Sequence, residues 1–209
     1  MHMLTNVSAI SKDIPTVIGT PWEGGYYAGL ISYNGDVYAQ VAAPKAVGQL
    51  ADCHQWGMYG TEITGASSFF DGRSNTKAMA ESGLVIAERV LELRIAGFDD
   101  WFIPARDQLE LAYRGFKPTD EENWFYRNGD NPSSLPPGYP YTIHLPGQTA
   151  VELFRKGNAE AFDDDWYWTS TQYSACYAWL QTFGDGYQVN ASKGSSGRVR
   201  AFRRFAFSL

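Results

Sequence analysis

Apolar and polar positions alternate along both ends of the chain and follow a helical spacing only in the middle. The run Tyr26-Tyr-Ala-Gly-Leu-Ile-Ser-Tyr, the pair Asn34-Gly35 and the run Asp36-Val-Tyr-Ala-Gln-Val-Ala predict a β-hairpin. Asn-Gly is the reason: both turn positions of a tight hairpin need positive φ, which these residues tolerate. Residues 45–73, rich in Gly, Ser and aromatic side chains, predict a folded loop. Over 75–96 the pattern changes. Met79, Ile86, Val90 and Leu93 recur at spacings of seven, four and three, which predicts one amphipathic helix with Ser74 or Asn75 at its start and Gly97 at its end. A shorter helix is predicted over about 106–115, after Pro104. Leu109, Ala112, Tyr113 and Phe116 share its inner face, and Asp107 suits its positive N-terminal end. Residues 117–150 are dense in Pro, Asn, Gly and Ser and predict a long irregular excursion, a kind of segment that is either functional or internally packed. Tyr177–Phe183, the Gly184-Asp-Gly turn and Tyr187–Ser192 predict a second hairpin. Arg198–Phe205 alternates polar with apolar residues and predicts the last strand, with the alternation carried to residue 207.

Strands, two helices, a long loop region and strands again predict an α+β fold with a mainly antiparallel sheet. Residues 22–209 are expected to form a single domain in which the N- and C-terminal parts pair. Residues 1–21, with Pro15 and Pro21, are expected to form an extended arm or edge strand.

Composition narrows the function classes. Of 209 residues, 44% are apolar, 15% aromatic and only 19% charged, a balance that fits a packed domain with large rings and excludes disorder. The net charge of −6 argues against binding nucleic acid over the whole surface. The basic run Arg198, Arg200, Arg203 and Arg204 is expected to pair with acids such as Asp163 to Asp165. No run approaches the length of a membrane span, and no basic stretch followed by an apolar one marks a secretory signal, so synthesis in the cytoplasm is expected. Cys53 and Cys176 have no metal-ligand spacing and are expected to be reduced thiols, a single disulfide being the alternative. His2, His54 and His144 show no ligand or triad spacing, and no phosphate loop or nucleophile elbow is present. Asp163-Asp-Asp165 reads as an acidic turn beside the arginines or as oxygen ligands for Ca²⁺; it lacks the alternating pattern of a dedicated Ca²⁺ loop. No cofactor, metal or catalytic residue is expected.

Three segments carry a family resemblance. Gly97-Phe-Asp-Asp-Trp-Phe-Ile-Pro-Ala-Arg-Asp-Gln-Leu-Glu-Leu resembles the G-x-D-W-x-L-P-[ST]-x-x-E-L segment of the Lcl C-terminal-like domain family. Tyr167-Trp-Thr-Ser-Thr is similar to its Y-W-[ST]-S-[ST] segment. Ala178-Trp179, Phe183, Gly186, Val199-Arg200 and Arg203 resemble its ending. Ala105 departs from the usual Ser or Thr, and Phe202 from the usual aliphatic residue. The resemblance covers roughly residues 75–205. It implies a C-type-lectin-like fold, two helices flanking a small sheet with long loops, and a place among bacteriophage and prophage proteins and bacterial surface proteins. The fold is shared with phage tropism determinants and retroelement-diversified variable proteins, which display variable binding residues on the C-terminal hairpin and the loop before it. It also occurs in formylglycine-generating enzymes, whose chemistry needs two neighbouring cysteines. The sugar-binding Glu-Pro-Asn and Trp-Asn-Asp motifs of calcium-dependent lectins are absent.

The resulting expectation is a non-enzymatic virion protein, exposed at a tail-fibre tip. It would bind a host-surface receptor, protein or glycan, and assemble as a homo-oligomer, a trimer by analogy. A purely structural decoration or baseplate protein binding other virion proteins is the alternative, and an enzyme of the formylglycine-generating type the third reading. The resemblance makes Trp101, Trp168 and Trp179 core residues. Gln172, Tyr173, Ser174, Tyr177, Asp185, Tyr187, Gln188, Asn190 and Ser192 are expected to form the partner-binding loops, since Tyr provides contact area at low entropy cost and small polar residues adapt.

Overall fold

A computed structural model of the chain describes residues 14–207. Residues 1–13 of the expected arm lie outside the described residues. The remainder of the arm runs beside its own domain: Gly19 N–H donates to Tyr27 O at 2.8 Å, and Tyr27 N–H to Thr20 O at 2.9 Å.

In chain order the elements are β1 (Pro21–Trp22), β2 (Gly25–Tyr33), β3 (Asp36–Ala42), α1 (Lys45–Gly48), β4 (His54–Gln55), α2 (Gly72–Glu81), α3 (Val85–Leu91) and α4 (Arg106–Phe116). There follow β5 (Ser134–Leu135), a 3-10 turn (Glu152–Phe154), β6 (Trp166–Gln172), β7 (Tyr177–Thr182), β8 (Gln188–Ser192), β9 (Ser196–Gly197) and β10 (Phe202–Phe207). This is a mixed α+β architecture of antiparallel sheets. The five-stranded sheet runs β1-β2-β3-β10, with β5 also on β2; the second sheet runs β6-β7-β8; β4 and β9 form a two-stranded ribbon. The β2–β3 turn is the Asn34-Gly35 pair, at φ 54° and 85°. Its left-handed backbone matches the twist of the two strands. β10 closes the sheet against β3, Arg203 opposite Val41, so the two ends of the domain do pair.

Two predicted boundaries are corrected. The 75–96 helix is two helices, α2 and α3, separated at Ser82-Gly83-Leu84 with Gly83 at φ +75°. The apolar stripe survives the break: Met79, Ile86 and Val90 are buried while Leu93 lies past the end of α3. Asp71, not Ser74 or Asn75, caps α2, its Oδ1 accepting from Ser74 N–H at 3.0 Å. Asn75 points inward and clamps Ser68 through both amide atoms. The last strand starts at Phe202 and not Arg198. Residues 198–201 thread between the sheets, where Arg198 exchanges bonds with Trp166 and Trp168 while Val199 and Ala201 bond Leu50 and Gly48.

Two apolar clusters fill the interior. Trp56, Ile63, Met79, Ile86, Val90, Trp101 and Trp168 form one, between the α2–α3 pair and β6. Phe102, Tyr113, Phe116, Phe154, Phe162, Tyr167 and Phe183 form the other, under α4. Rings of this size each add roughly 2–3 kcal/mol when fully buried. The four arginines of the C-terminal run are all paired: Arg198 with Asp163 and Asp165, Arg200 with Glu160, Arg203 with Asp100, Arg204 with Asp71.

Candidate binding face

Strand β7 explains how one sheet serves both the core and the surface. Ala178 and Leu180 point inward and are buried, whereas Tyr177, Trp179 and Gln181 lie on the other face. The β8 register places Ser192 opposite Tyr177, Asn190 opposite Trp179 and Gln188 opposite Gln181. This column is buried at its Gln181–Gln188 end and becomes accessible beside Tyr177, where Asn190 and Ser192 lie. Beside them, β6 bulges between Trp168 and Gln172. The hydroxyls of the bulge are used locally. Thr169 Oγ1 donates to Trp179 O, and Thr171 Oγ1 donates to Ser68 O while accepting from Arg106 N–H at the start of α4. The Thr-Ser-Thr run thus locks the 66–71 loop and α4 against the sheet.

On this base lies a set of exposed rings. Tyr173 is 58% exposed, Tyr177 40%, Tyr59 62% and Phe69 40%. Tyr59 meets Tyr177 edge-on at 6.5 Å; Tyr173 and Phe69 meet Trp179 edge-on at 5.7 and 6.1 Å. The Arg106 guanidinium stacks over both Phe69 and Trp179, at 5.1 and 5.0 Å, and one of its nitrogens donates to Gln188 Oε1 at 3.1 Å. The turn between β6 and β7 is held by Ser174, whose Oγ accepts from the Cys176 and Tyr177 N–H groups, and by Tyr177 O, which accepts from Tyr173 and Ser174. Backbone and side-chain bonds thus fix the two tyrosines in position.

The predicted residues do not all join this face. Gln172 is buried, its Oε1 accepting from Ile63 N–H at 2.8 Å and Lys193 Nζ at 2.6 Å, so it ties the 61–63 loop to the sheet. Gln188 is buried too, and its backbone N–H donates to Asn128 Oδ1. Asp185 and Tyr187 belong to a second aromatic group at the far end of the hairpin. Tyr187 lies 5.1 Å from Trp124 and 6.0 Å from Trp166, and Asp185 O accepts from Trp124 N–H. Trp101 and Trp168 are fully buried, but Trp179 is only half-buried because it belongs to the outer column of β7. Sequence reasoning missed Tyr59, Phe69 and Arg106. The aromatic residues Tyr59 and Phe69, set among Gly and Ser in a segment read only as a folded loop, were the available signal.

The excursion that flanks the second group is anchored on α4 through buried polar bonds. Asn131 donates to Asp107 O and to Glu110 Oε2, Ser133 donates to Asp107 Oδ2, and Tyr141 donates to Glu110 Oε1 at 2.8 Å. Arg114 donates to the carbonyls of Gly129 and Tyr139. Burial pushes both carboxyls above the usual range, against the pull of Ser133 and Arg106 on Asp107 and of Arg114 and Asn131 on Glu110. Asp107 therefore serves as a buried anchor as well as a helix-end charge. Asp163 accepts from Lys45 and Gln49, and Asp165 from Arg198 and Trp166 N–H, so their oxygens bond cations and donors of the protein. Among the described residues no group of three His, Cys, Asp or Glu is arranged to hold a metal ion, and Cys53 and Cys176 are both free thiols.

No protein-family model matches the chain, and no curated protein is detectably similar to it.

Proposed function

We propose that the protein is a non-enzymatic binding protein that engages its partner through the outer face of β6–β8, with Tyr59, Phe69, Tyr173 and Tyr177 as the contact rings. The observation that carries this reading is the cluster of four exposed rings on one rigid base, with an arginine stacked between two aromatic side chains. Monomeric proteins seldom leave such a group in water without a use, and Tyr, Trp and Arg are the residues that most often dominate binding energy. Adaptable polar residues, Ser192 and Asn190, pair across the strands with Tyr177 and Trp179. The family resemblance of the 97–111, 167–171 and 178–203 segments supports a C-type-lectin-like fold and a place on a phage particle, exposed at a tail-fibre tip and directed at a host-surface protein or glycan. The same resemblance favours a homo-oligomer, a trimer by analogy, and light scattering at micromolar concentration checks it: a stable monomer contradicts it.

The structural-virion reading differs in where the contact rings face. There they meet neighbouring virion subunits, and changing them blocks particle assembly while leaving adsorption per assembled particle intact. The described part of the arm bonds to β2 of its own domain, which favours a free-standing binder over an arm exchanged between subunits. The deciding experiment is adsorption to host cells by particles or purified protein carrying Tyr173→Ala and Tyr177→Ala. Loss of adsorption with folding intact supports the reading, and unchanged adsorption overturns it.

A further inference from the structure

Away from the face proposed above, the 117–150 excursion displays a second set of rings. Trp124, Phe125 and Tyr126 follow one another in the chain and are 47%, 50% and 62% exposed. Buried asparagines pin the segment at both ends. Asn123 donates to the carbonyls of Thr142, Ile143 and Pro146 and accepts from the Tyr113 hydroxyl at 2.6 Å. Asn128 donates to Tyr126 O and accepts from Gln188 N–H. Three consecutive large rings thus stand in water on a fixed backbone, so a partner meets them already in place. Two hollows of about 400 Å³ each lie beside them and share Asp185 as a wall. Glu122 lines one with the three rings; Glu121, Asp164 and Trp166 line the other. Tyr187 links the two, 5.1 Å from Trp124 and 6.0 Å from Trp166.

The charge of this strip is one-sided. Neither hollow is lined by a Lys or Arg. Among the described residues Glu122 and Asp185 form no ion pair, and Glu121 and Asp164 meet the exposed Lys156 at no closer than 3.9 and 4.0 Å. Asp185 uses Oδ1 on Tyr187 N–H at 3.0 Å. The Lys117 ammonium nearby is engaged by the carbonyls of Glu121 and Pro146. The chain itself shows what suits such rings: the Arg127 guanidinium rests 5.0 Å from the centre of Tyr126.

We propose that this strip binds an extended, arginine-bearing segment of a protein partner, with guanidinium planes on Trp124 and Phe125 and their charge toward Glu122, Asp185 and Asp164. A guanidinium stacks on a ring and pairs with a carboxylate at once, which an ammonium does less well. Two hollows with a common wall suit a length of chain better than a single small cation. The rings supply affinity, and the exposed carboxylates select the sign of the partner's charge and orient it.

The test uses a capped pentapeptide alternating arginine with glycine, and the same peptide with uncharged citrulline at each arginine. Binding to the intact protein is read by amide chemical shifts at low salt. The expected result is saturable binding of the arginine peptide with a Kd on the order of 0.1–1 mM, centred on Trp124, Phe125, Gly184 and Asp185, and at least about tenfold weaker binding of the citrulline peptide. Phe125→Ala, at an exposed position, should weaken the arginine peptide by at least about threefold. Glu122→Gln with Asp185→Asn, which keeps the acceptor of Tyr187 N–H, should weaken it by at least about fivefold. Tyr173→Ala and Tyr177→Ala should leave it unchanged, so failure here and failure of the outer face are told apart. No binding up to about 10 mM, equal affinity for the two peptides, shifts centred elsewhere, or full affinity in both variants of the strip would each overturn the proposal. Maltohexaose moving the same amides where the arginine peptide does not would assign a neutral glycan to the strip and overturn it equally.

Discussion

Two groups of rings in this protein have the same chemistry and opposite settings. Inside, Phe116, Phe154, Phe162 and Phe183 stack at 3.9–6.5 Å, with the Arg200 guanidinium 4.4 Å above Phe162. Outside, Phe69 and Tyr173 meet Trp179 and Tyr59 meets Tyr177 at 5.7–6.5 Å, with Arg106 above Phe69 and Trp179. Polar partners separate the two. Arg200 is fully buried and bonded to Glu160 Oε2 at 2.6 Å, to Glu160 O and to Ala43 O. Arg106 bonds Asp107 and Gln188, its Nε is buried without a hydrogen-bond partner, and Phe69 beside it is 40% exposed. A ring cluster whose polar atoms are all satisfied holds a fold together. One that leaves ring surface in water is the contact face we propose.

The largest effects should fall on the inner group. Arg200→Ala leaves Glu160 as a buried carboxylate without its cation, and truncation of one partner in such a pair costs about 3–5 kcal/mol. Phe162→Ala removes the ring that stacks on both Phe154 and Phe183 and should cost about 3–5 kcal/mol as well. Denaturant unfolding measures both. A loss below about 1 kcal/mol for either would erase the distinction between the two clusters.

Next comes the anchor of the 117–150 excursion. Glu110→Ala removes the acceptor of the Tyr141 hydroxyl, one acceptor of Asn131 and the carboxylate paired with Arg114, and should cost about 2–4 kcal/mol by denaturant unfolding. The same cluster has a pH signature. The folded-state pKa values of Asp107 and Glu110 lie above their unfolded values. The folded state thus holds protons more tightly, and the stability they contribute is full below the ordinary carboxylate range and lost as pH rises through the raised values. Asp163 has the opposite sign. Burial opposes the shift, but the hydrogen bonds from Lys45 and Gln49 and the charges of Lys45 and Arg198 hold its carboxyl below the ordinary range. Its contribution is present above that range and lost as pH falls through the depressed value. Acidification should therefore increase protection of the Asn131, Gly138 and Tyr141 amides, corrected for intrinsic exchange, while the Lys45–Asp163 contact loosens. Uniform loss of protection on acidification would contradict the assignment.

How much of this was legible in the sequence differs from region to region. Asn34-Gly35 set the first hairpin because its turn has a backbone requirement few residue pairs meet, and the Leu109, Ala112, Tyr113 and Phe116 stripe set α4. The break at Gly83 was hidden, since Met79, Ile86 and Val90 keep their periodic places on both sides of it. Burial of Gln172 and Gln188 was also hidden, because their partners, Ile63, Lys193, Asn128 and Arg106, are remote in sequence and nothing local marks a glutamine as a clamp. Tyr173 and Tyr177 could be read as surface residues because they bracket a turn. Trp179 could not, because family position outweighed the alternation of β7, which puts it on the outer column.

The smallest effects on folding should come from the outer group. Tyr173→Ala and Tyr177→Ala should each change stability by no more than about 0.5–1 kcal/mol, since both residues are exposed, Tyr173 more than Tyr177. Each should weaken partner binding by about 1–2 kcal/mol or more if it is an anchor. Trp179→Ala should fall between the groups in stability, because its ring is half-buried and packs on Phe69 and Tyr173.

If the β6–β8 outer face binds a partner and does not merely cover the sheet, its rings should matter for adsorption and not for folding. The most direct measurement is the melting temperature and host-cell adsorption of the Tyr59→Ala/Tyr173→Ala/Tyr177→Ala variant, scored side by side with Phe162→Ala. The prediction is a melting temperature close to that of the unaltered protein, with adsorption of the folded protein reduced at least about tenfold. A melting temperature lowered as far as that of Phe162→Ala, with adsorption of the folded fraction unchanged, would contradict it.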